Sequence, residues 1–149
     1  MKIAIVYTSV TGNTKELAEM LFNIFKADFP SIEFYTIDEF PMERLHQYDG
    51  IIIGTYTWGN GNLPRQMRSL YSAFENQETK HIVTGVFGTG DRFYPNFCGA
   101  VEHFRDMLYV QTDLAVTLKV ELRPQSTDYH RCIAFLQSFR KKALEKLVR

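Results

Sequence analysis

The sequence has no excess of either charge: its 149 residues carry 17 Lys plus Arg against 17 Asp plus Glu. Nothing in that balance steers it toward nucleic acid or a membrane surface. Cysteine is scarce, with Cys98 and Cys132 far apart and no histidine cluster beside them. A disulfide scaffold and a zinc site are therefore excluded, and two reduced core thiols are expected. No apolar run approaches the length of a bilayer span, and with Met1-Lys2 leading straight into a strand pattern no secretory leader is expected. Repeats, low-complexity tracts and linkers are missing too. The expectation is one cytoplasmic domain over residues 1–149, long enough for a sizeable core.

Glycine is also missing where two well-known phosphate loops need it. The turn Thr8-Ser9-Val10-Thr11-Gly12-Asn13-Thr14 has a single glycine, so it is neither a Walker loop nor a three-glycine dinucleotide fingerprint. It has no cysteine nucleophile and no lysine or arginine. What it does have is position and hydroxyl groups. The apolar run Ile3-Ala4-Ile5-Val6-Tyr7 before it suits a buried parallel strand. Leu17, Leu21, Ile24 and Phe25 after it recur at helical spacing. A helix starting near Asn13 points its free N–H groups and its positive dipole end back into the turn, where Ser9, Thr11, Asn13 and Thr14 add side-chain donors. The expected guest is a phosphate held by neutral donors.

The rest of the chain repeats the pattern of strand, loop and helix. Ile32 to Ile37 alternates as an edge strand does, and Asp38 to Asp49 reads as a loop with at most a short helical turn. Gly50 to Thr55 is a buried strand, followed by the loop Tyr56 to Asn62 and a helix carrying Met67, Leu70, Tyr71 and Phe74, with Pro64 at its first position. His81 to Phe87 predicts a fourth strand, ending in Gly88-Thr89-Gly90-Asp91 and a loop through Asn96. A helix through Phe97, Val101, Phe104 and Leu108 leads to a fifth strand, Leu114 to Val120. Ser126 or Thr127 is expected to cap a last long helix. Five strands alternating with helices imply a doubly wound parallel α/β sheet, whose ligand binds beyond the strand C-termini at the switch in strand order. The loops after strands one, three and four all lie at that end.

Trp58 and Tyr94 each sit centrally in one of the two later loops. Opposite a neutral phosphate loop, a pair of aromatic faces suits a planar heteroaromatic ring carrying a monophosphate. Ile5-Val6-Tyr7-Thr8-Ser9-Val10-Thr11-Gly12-Asn13-Thr14, with Ala18 and Leu21 after it, resembles the flavodoxin signature. Gly54-Thr55-Tyr56-Thr57-Trp58-Gly59, and Phe87 to Asp91 with Tyr94 to Val101, are similar to the two flavin-ring loops of that family, and the uninterrupted fifth strand resembles its short-chain branch.

The resemblance implies a flavodoxin-like five-stranded sheet in the order 2-1-3-4-5 with noncovalently bound FMN. The cofactor contacts it implies are Thr8, Ser9, Val10, Thr11, Gly12, Asn13 and Thr14; Thr55, Tyr56, Thr57, Trp58, Gly59 and Asn60; and Gly88, Thr89, Gly90, Asp91, Tyr94, Phe97 and Cys98. The ring lies between Trp58 and Tyr94, with Asp91 near its polar edge. The function implied is that of a monomeric, low-potential one-electron carrier, shuttling between a flavodoxin reductase and acceptor enzymes. Alternatives are an FMN-dependent two-electron reductase of a small molecule such as a quinone, and a flavin activator dedicated to one partner enzyme. In the family resembled, the Gly59-Asn60 carbonyl flips to accept a hydrogen bond from the semiquinone. The chain departs from the family in its neutral charge, with Asn60 and Asn62 where acids are usual and Arg65, Arg68 and Arg92 nearby. A hydroquinone couple less negative than the family norm is expected. No catalytic acid, base or metal ligand set is legible.

Overall fold

A computed structural model of the chain describes residues 1–148. Five parallel strands, β1 (Ile3–Tyr7), β2 (Glu33–Thr36), β3 (Gly50–Tyr56), β4 (Val83–Gly90) and β5 (Asp113–Glu121), form one sheet in the order β2-β1-β3-β4-β5. The helices α1 (Asn13–Phe25), α2 (Arg68–Asn76), α3 (Gly99–Gln111) and α4 (Tyr129–Leu147) supply the crossovers and the covering layers. None of the described helices is long and apolar enough to cross a membrane.

The side chains of β1 alternate between two cores, as strand geometry requires. Ala4 and Val6 join Ile51 and Ile53 against Leu70 and Phe74 of α2 and Phe104 and Leu108 of α3. Ile3, Ile5 and Tyr7 join Ile52 against Leu17, Leu21 and Phe25 of α1 and Phe135 and Phe139 of α4. Both faces of the central strands are dry, so these strands read as continuous apolar runs. At Gly85 the fit is close enough that an added Cβ would stand 2.8 Å from Cζ of Phe135. Truncating Phe135 there to alanine would cost about 3–5 kcal/mol. Cys98 and Cys132 are buried free thiols, as expected.

Register delivers three loop ends to one edge. Tyr7 pairs with Gly54, Tyr56 with Thr89, and Gly90 with Glu121. Because β2 and β3 lie on opposite sides of β1, strand order reverses beside β1 and the first loop opens at that switch point.

Besides shifts of one or two residues at element ends, local structure departs from expectation in four places. The Asp38–Asp49 segment contains a longer turn of 3-10 helix, Met42–Gln47. Pro64 precedes a 3-10 turn, Arg65–Met67, rather than the α-helix itself. The fourth strand continues through Gly90, because Gly88 packs directly on the carbonyl of Thr55 and keeps the ladder intact. Neither Ser126 nor Thr127 caps α4: Asp128 accepts the Gln125 N–H at 2.9 Å in a reciprocal box around the 3-10 turn Ser126–Asp128.

Candidate cofactor site

The first loop is shaped by Gly12, whose φ of 99° is open to glycine but strained for other residues. It turns the chain into α1 and leaves its own N–H to the Ser9 hydroxyl oxygen, at 3.2 Å. The first intrahelical bond runs from Glu16 N–H to the Gly12 carbonyl. Among the described residues, the N–H groups of Thr11, Asn13, Thr14 and Lys15 therefore have no acceptor. They form an uncharged nest at the helix N-terminus, with nothing within 4 Å of the place a Gly12 Cβ would occupy.

Thr14 is buried, and its hydroxyl meets that of Thr89 at 2.7 Å, joining the start of α1 to the end of β4. Both line a cavity of about 260 Å³, with Val10, Thr11 and Asn13 on one side and Tyr56, Thr57, Gly90 and Asp91 on the other. A second cavity of about 170 Å³ shares Thr57, Gly90 and Asp91 with the first and continues past Gly59, Tyr94, Phe97 and Cys98. The carboxylate of Asp91 stands between the two and accepts the Phe93 N–H at 2.9 Å. Thr57 accepts the Ala100 N–H at 3.2 Å, which leaves its hydroxyl proton free.

The turn after β3 is closed by a two-way bridge: Trp58 N–H donates to Asn62 at 2.9 Å and Asn62 N–H to Trp58 at 2.7 Å. Gly59 and Gly61 have φ of 54° and 96°. Gly61 rests on Asn96, itself left-handed with φ of 57°. Phe97 is covered by the Arg92 guanidinium at 4.4 Å from the ring centre, and Arg92 also reaches Glu121 at 3.8 Å.

The three sequence segments thus meet, though not every residue faces the cavities. Thr8 is buried and its N–H donates to Gly54; Thr55 is buried with its hydroxyl on the Tyr56 carbonyl; Gly88 is part of the close sheet packing. Ser9 and Gly12 shape the loop from behind, while Asn60 lies on the turn facing α3. Tyr94 lines the second cavity, whereas Trp58 lines a different groove with Tyr56, Arg65, Gln66 and Arg68. Leu122 is a wall residue that the sequence did not suggest. Its φ is 53°, its N–H donates to the Gly90 carbonyl at 2.7 Å, and it closes the first cavity. The signal available was positional, since β5 neighbours β4 and ends at the same sheet edge.

Residues 5–134 match the family described as flavodoxin. The chain belongs to the flavodoxin family. It is 35% identical over 142 residues to probable flavodoxin 1 of Bacillus subtilis (strain 168), covering 93% of this chain and 89% of that one. The crystal structure of oxidised flavodoxin 1 from Bacillus cereus superposes with a TM-score of 0.86 at 34% identity, over 95% of this chain and 98% of that one. A flavodoxin of Fusobacterium nucleatum solved with flavin mononucleotide bound shares the fold at 15% identity, with a TM-score of 0.77 over 95% of this chain and 98% of that one. Flavodoxins are FMN-binding electron-transfer proteins that pass electrons to redox partners. The donor set suits that cofactor. Free amides and hydroxyls match a phosphate without a cation, the small residues Thr89 and Gly90 line the first cavity, and Tyr94 and Phe97 give the second cavity an aromatic wall.

Proposed function

We propose that this flavodoxin is a monomeric, low-potential one-electron carrier working between a flavoprotein reductase and acceptor enzymes. The observation that supports it is the contrast between the two ends of the site. One end is a cradle of amides and hydroxyls under α1; at the other, Trp58, Phe93 and Tyr94 are 64%, 89% and 62% exposed. A group held by its phosphate and presented at an open edge can exchange electrons on contact, without a substrate pocket.

Bound FMN supplies the one- and two-electron redox chemistry. The chain's own residues hold and tune it. The N–H groups of Thr11, Asn13, Thr14 and Lys15, with the hydroxyls of Thr11 and Thr14, would grip the phosphate, and Ser9 would hold the turn in shape through Gly12. Thr57 and Asp91, at the junction of the two cavities, receive the polyol chain. Tyr94 and Trp58, carried by the two loops at the open end, would flank the ring, with Trp58 keeping its edge on the groove of Arg65 and Arg68. Aromatic faces exclude water and oppose added negative charge, which holds the potential low. The Gly59-Asn60 peptide offers its carbonyl or its N–H to the ring edge, a choice that glycine at positive φ leaves open.

Anaerobic stepwise reduction of the FMN-loaded protein, followed by visible absorbance, tests the reading. Two separated one-electron steps are expected. A single two-electron bleaching overturns it in favour of a small-molecule reductase.

A further inference from the structure

Beside the cofactor cavities, the turn carrying Trp58 borders a groove of about 610 Å³ lined by Tyr56, Trp58, Arg65, Gln66 and Arg68. The lining holds two aromatic rings, two cations and an amide, and no carboxylate. Arg65 and Arg68 are both exposed and stand three residues apart across the 3-10 turn Arg65–Met67, a spacing at which side chains eclipse. Like charges so placed repel unless an anion lies between them. Among the described residues neither has one, and the same holds for the isolated Arg44, whereas Arg92, Arg105, Arg123, Arg131 and Arg140 each hold a carboxylate. No carboxylate of the described residues reaches this pair, which leaves it open to an anion from outside.

We propose that this groove is the docking surface for an acidic segment of a redox partner, with carboxylates on Arg65 and Arg68 and an apolar side chain against Trp58 and Tyr56. The proposal rests on the carrier reading, which brings a partner to the Trp58 edge. The chain is neutral overall, so attraction has to come from a local field rather than from net charge. Guanidinium forks favour carboxylates through paired hydrogen bonds, and a half-apolar groove beside them adds area that a free inorganic ion cannot use. The partner selected has its acids on the docking face, the reverse of an acidic carrier meeting a basic enzyme.

Trp58 is the only tryptophan, so its indole N–H gives one resonance and reports on the groove. The FMN-loaded, oxidised protein is titrated with a synthetic peptide of about eight glutamates and one phenylalanine, and with a lysine peptide of the same length. The glutamate peptide is expected to shift the Trp58 signal saturably, with affinity falling roughly tenfold between about 0.01 and 0.15 M salt. The doubly substituted Arg65→Gln, Arg68→Gln protein should keep its FMN spectrum and lose that response roughly tenfold or more. A lysine peptide acting equally well, an unchanged response in the double variant, or no response to the glutamate peptide overturns the proposal. So does a saturable shift with adenosine monophosphate where the peptide gives none, which would assign the groove to a nucleotide. No electron transfer is needed in this titration, so its failure leaves the carrier reading intact, and the failure of that reading is seen separately in the stepwise reduction.

Discussion

The side-chain amide of Asn96 donates to the backbone carbonyl of Asn60 at 3.0 Å, across 36 residues of sequence. That bond ties the loop of Tyr94 to the turn of Gly59, so the two walls at the open end of the site hold one another. Asn96 is also left-handed, a conformation asparagine tolerates better than most residues. Replacing it with glycine keeps the backbone and removes the amide. A neutral hydrogen bond is worth about 0.5–1.5 kcal/mol net, so FMN should dissociate from Asn96→Gly roughly threefold to tenfold more readily. Fluorescence titration of FMN into the apoprotein measures this. An unchanged dissociation constant would mean that the tether does not support the cofactor.

Gly59 and Gly61 share a turn and both have positive φ, yet alanine should affect them differently. A Cβ on Gly59 would meet only Asn62 Nδ2, at 3.6 Å, while a Cβ on Gly61 would stand 2.8 Å from Cβ of Asn96. Gly59→Ala therefore carries the backbone term alone, about 1 kcal/mol. Stability should fall by no more than that amount, and the first one-electron potential should move by up to about 40 mV, because the choice between the two peptide orientations is biased. Gly61→Ala adds a collision and should lower global stability by about 1–3 kcal/mol. Redox titration and urea unfolding of both variants separate the two effects.

How far the sequence revealed this arrangement depended on the range of the forces involved. Ile3–Tyr7 and Ile51–Ile53 were legible because a strand covered on both faces has to be apolar throughout. The Thr8–Thr14 turn was legible because a loop entering a helix at a sheet edge has few other uses for so many hydroxyls. The cap of α4 was not: Ser126, Thr127 and Asp128 are all good local cappers, and the box formed by Gln125 and Asp128 won. Leu122 carries no polar group or turn signature, and only its pairing beside Gly90 brings it to the cavity. Nor can spacing say which way an exposed ring turns, so Trp58 and Tyr94 read alike although they line different cavities.

Leu122 offers a way to separate stability from binding. It is about half exposed, pays little for leaving the core, and has a backbone that favours glycine. Leu122→Gly should leave the urea midpoint unchanged or raise it, through relief of about 1 kcal/mol of left-handed strain. The same change removes a wall from the phosphate-end cavity, so FMN affinity should fall. Loss of stability and affinity together would make Leu122 a packing residue only.

Burial raises both thiols, Cys98 and Cys132, from an ordinary value of 9.0 to about 11. At Cys98 the charges of Lys119 and Arg92 oppose the shift without cancelling it. Between those values the folded chain keeps protons that the unfolded chain has lost. The contribution to stability is thus complete below about pH 9 and disappears as pH rises through about 11. Each thiol supplies about 2 kcal/mol. Tyr48, raised from 10.0 by burial and by Glu33, acts in the same direction from about pH 10 upward. Urea unfolding from pH 8 to 11 should show the decline, and Cys132→Ala should lose roughly half of the thiol share. In native protein at pH 8 neither thiol should react with an aromatic disulfide reagent, while both should react in urea.

Arg92 tests whether local charge sets the potential. It sits over Phe97, whose side chain borders the second cavity, and its nearest carboxylate, Glu121, is 3.8 Å away with both partners exposed. The pair therefore screens the flavin edge incompletely. A unit charge about 10 Å away at an effective dielectric near 20 contributes about 1.7 kcal/mol, and solvent exposure reduces this severalfold. Arg92→Gln should lower the potential of the fully reduced couple by a few tens of mV, and Glu121→Gln should raise it by a similar amount. Both shifts should shrink as salt rises from about 0.01 to 1 M. Potentials that move in the same direction in both variants, or that ignore salt, would point to repacking of Phe97 rather than to charge as the cause.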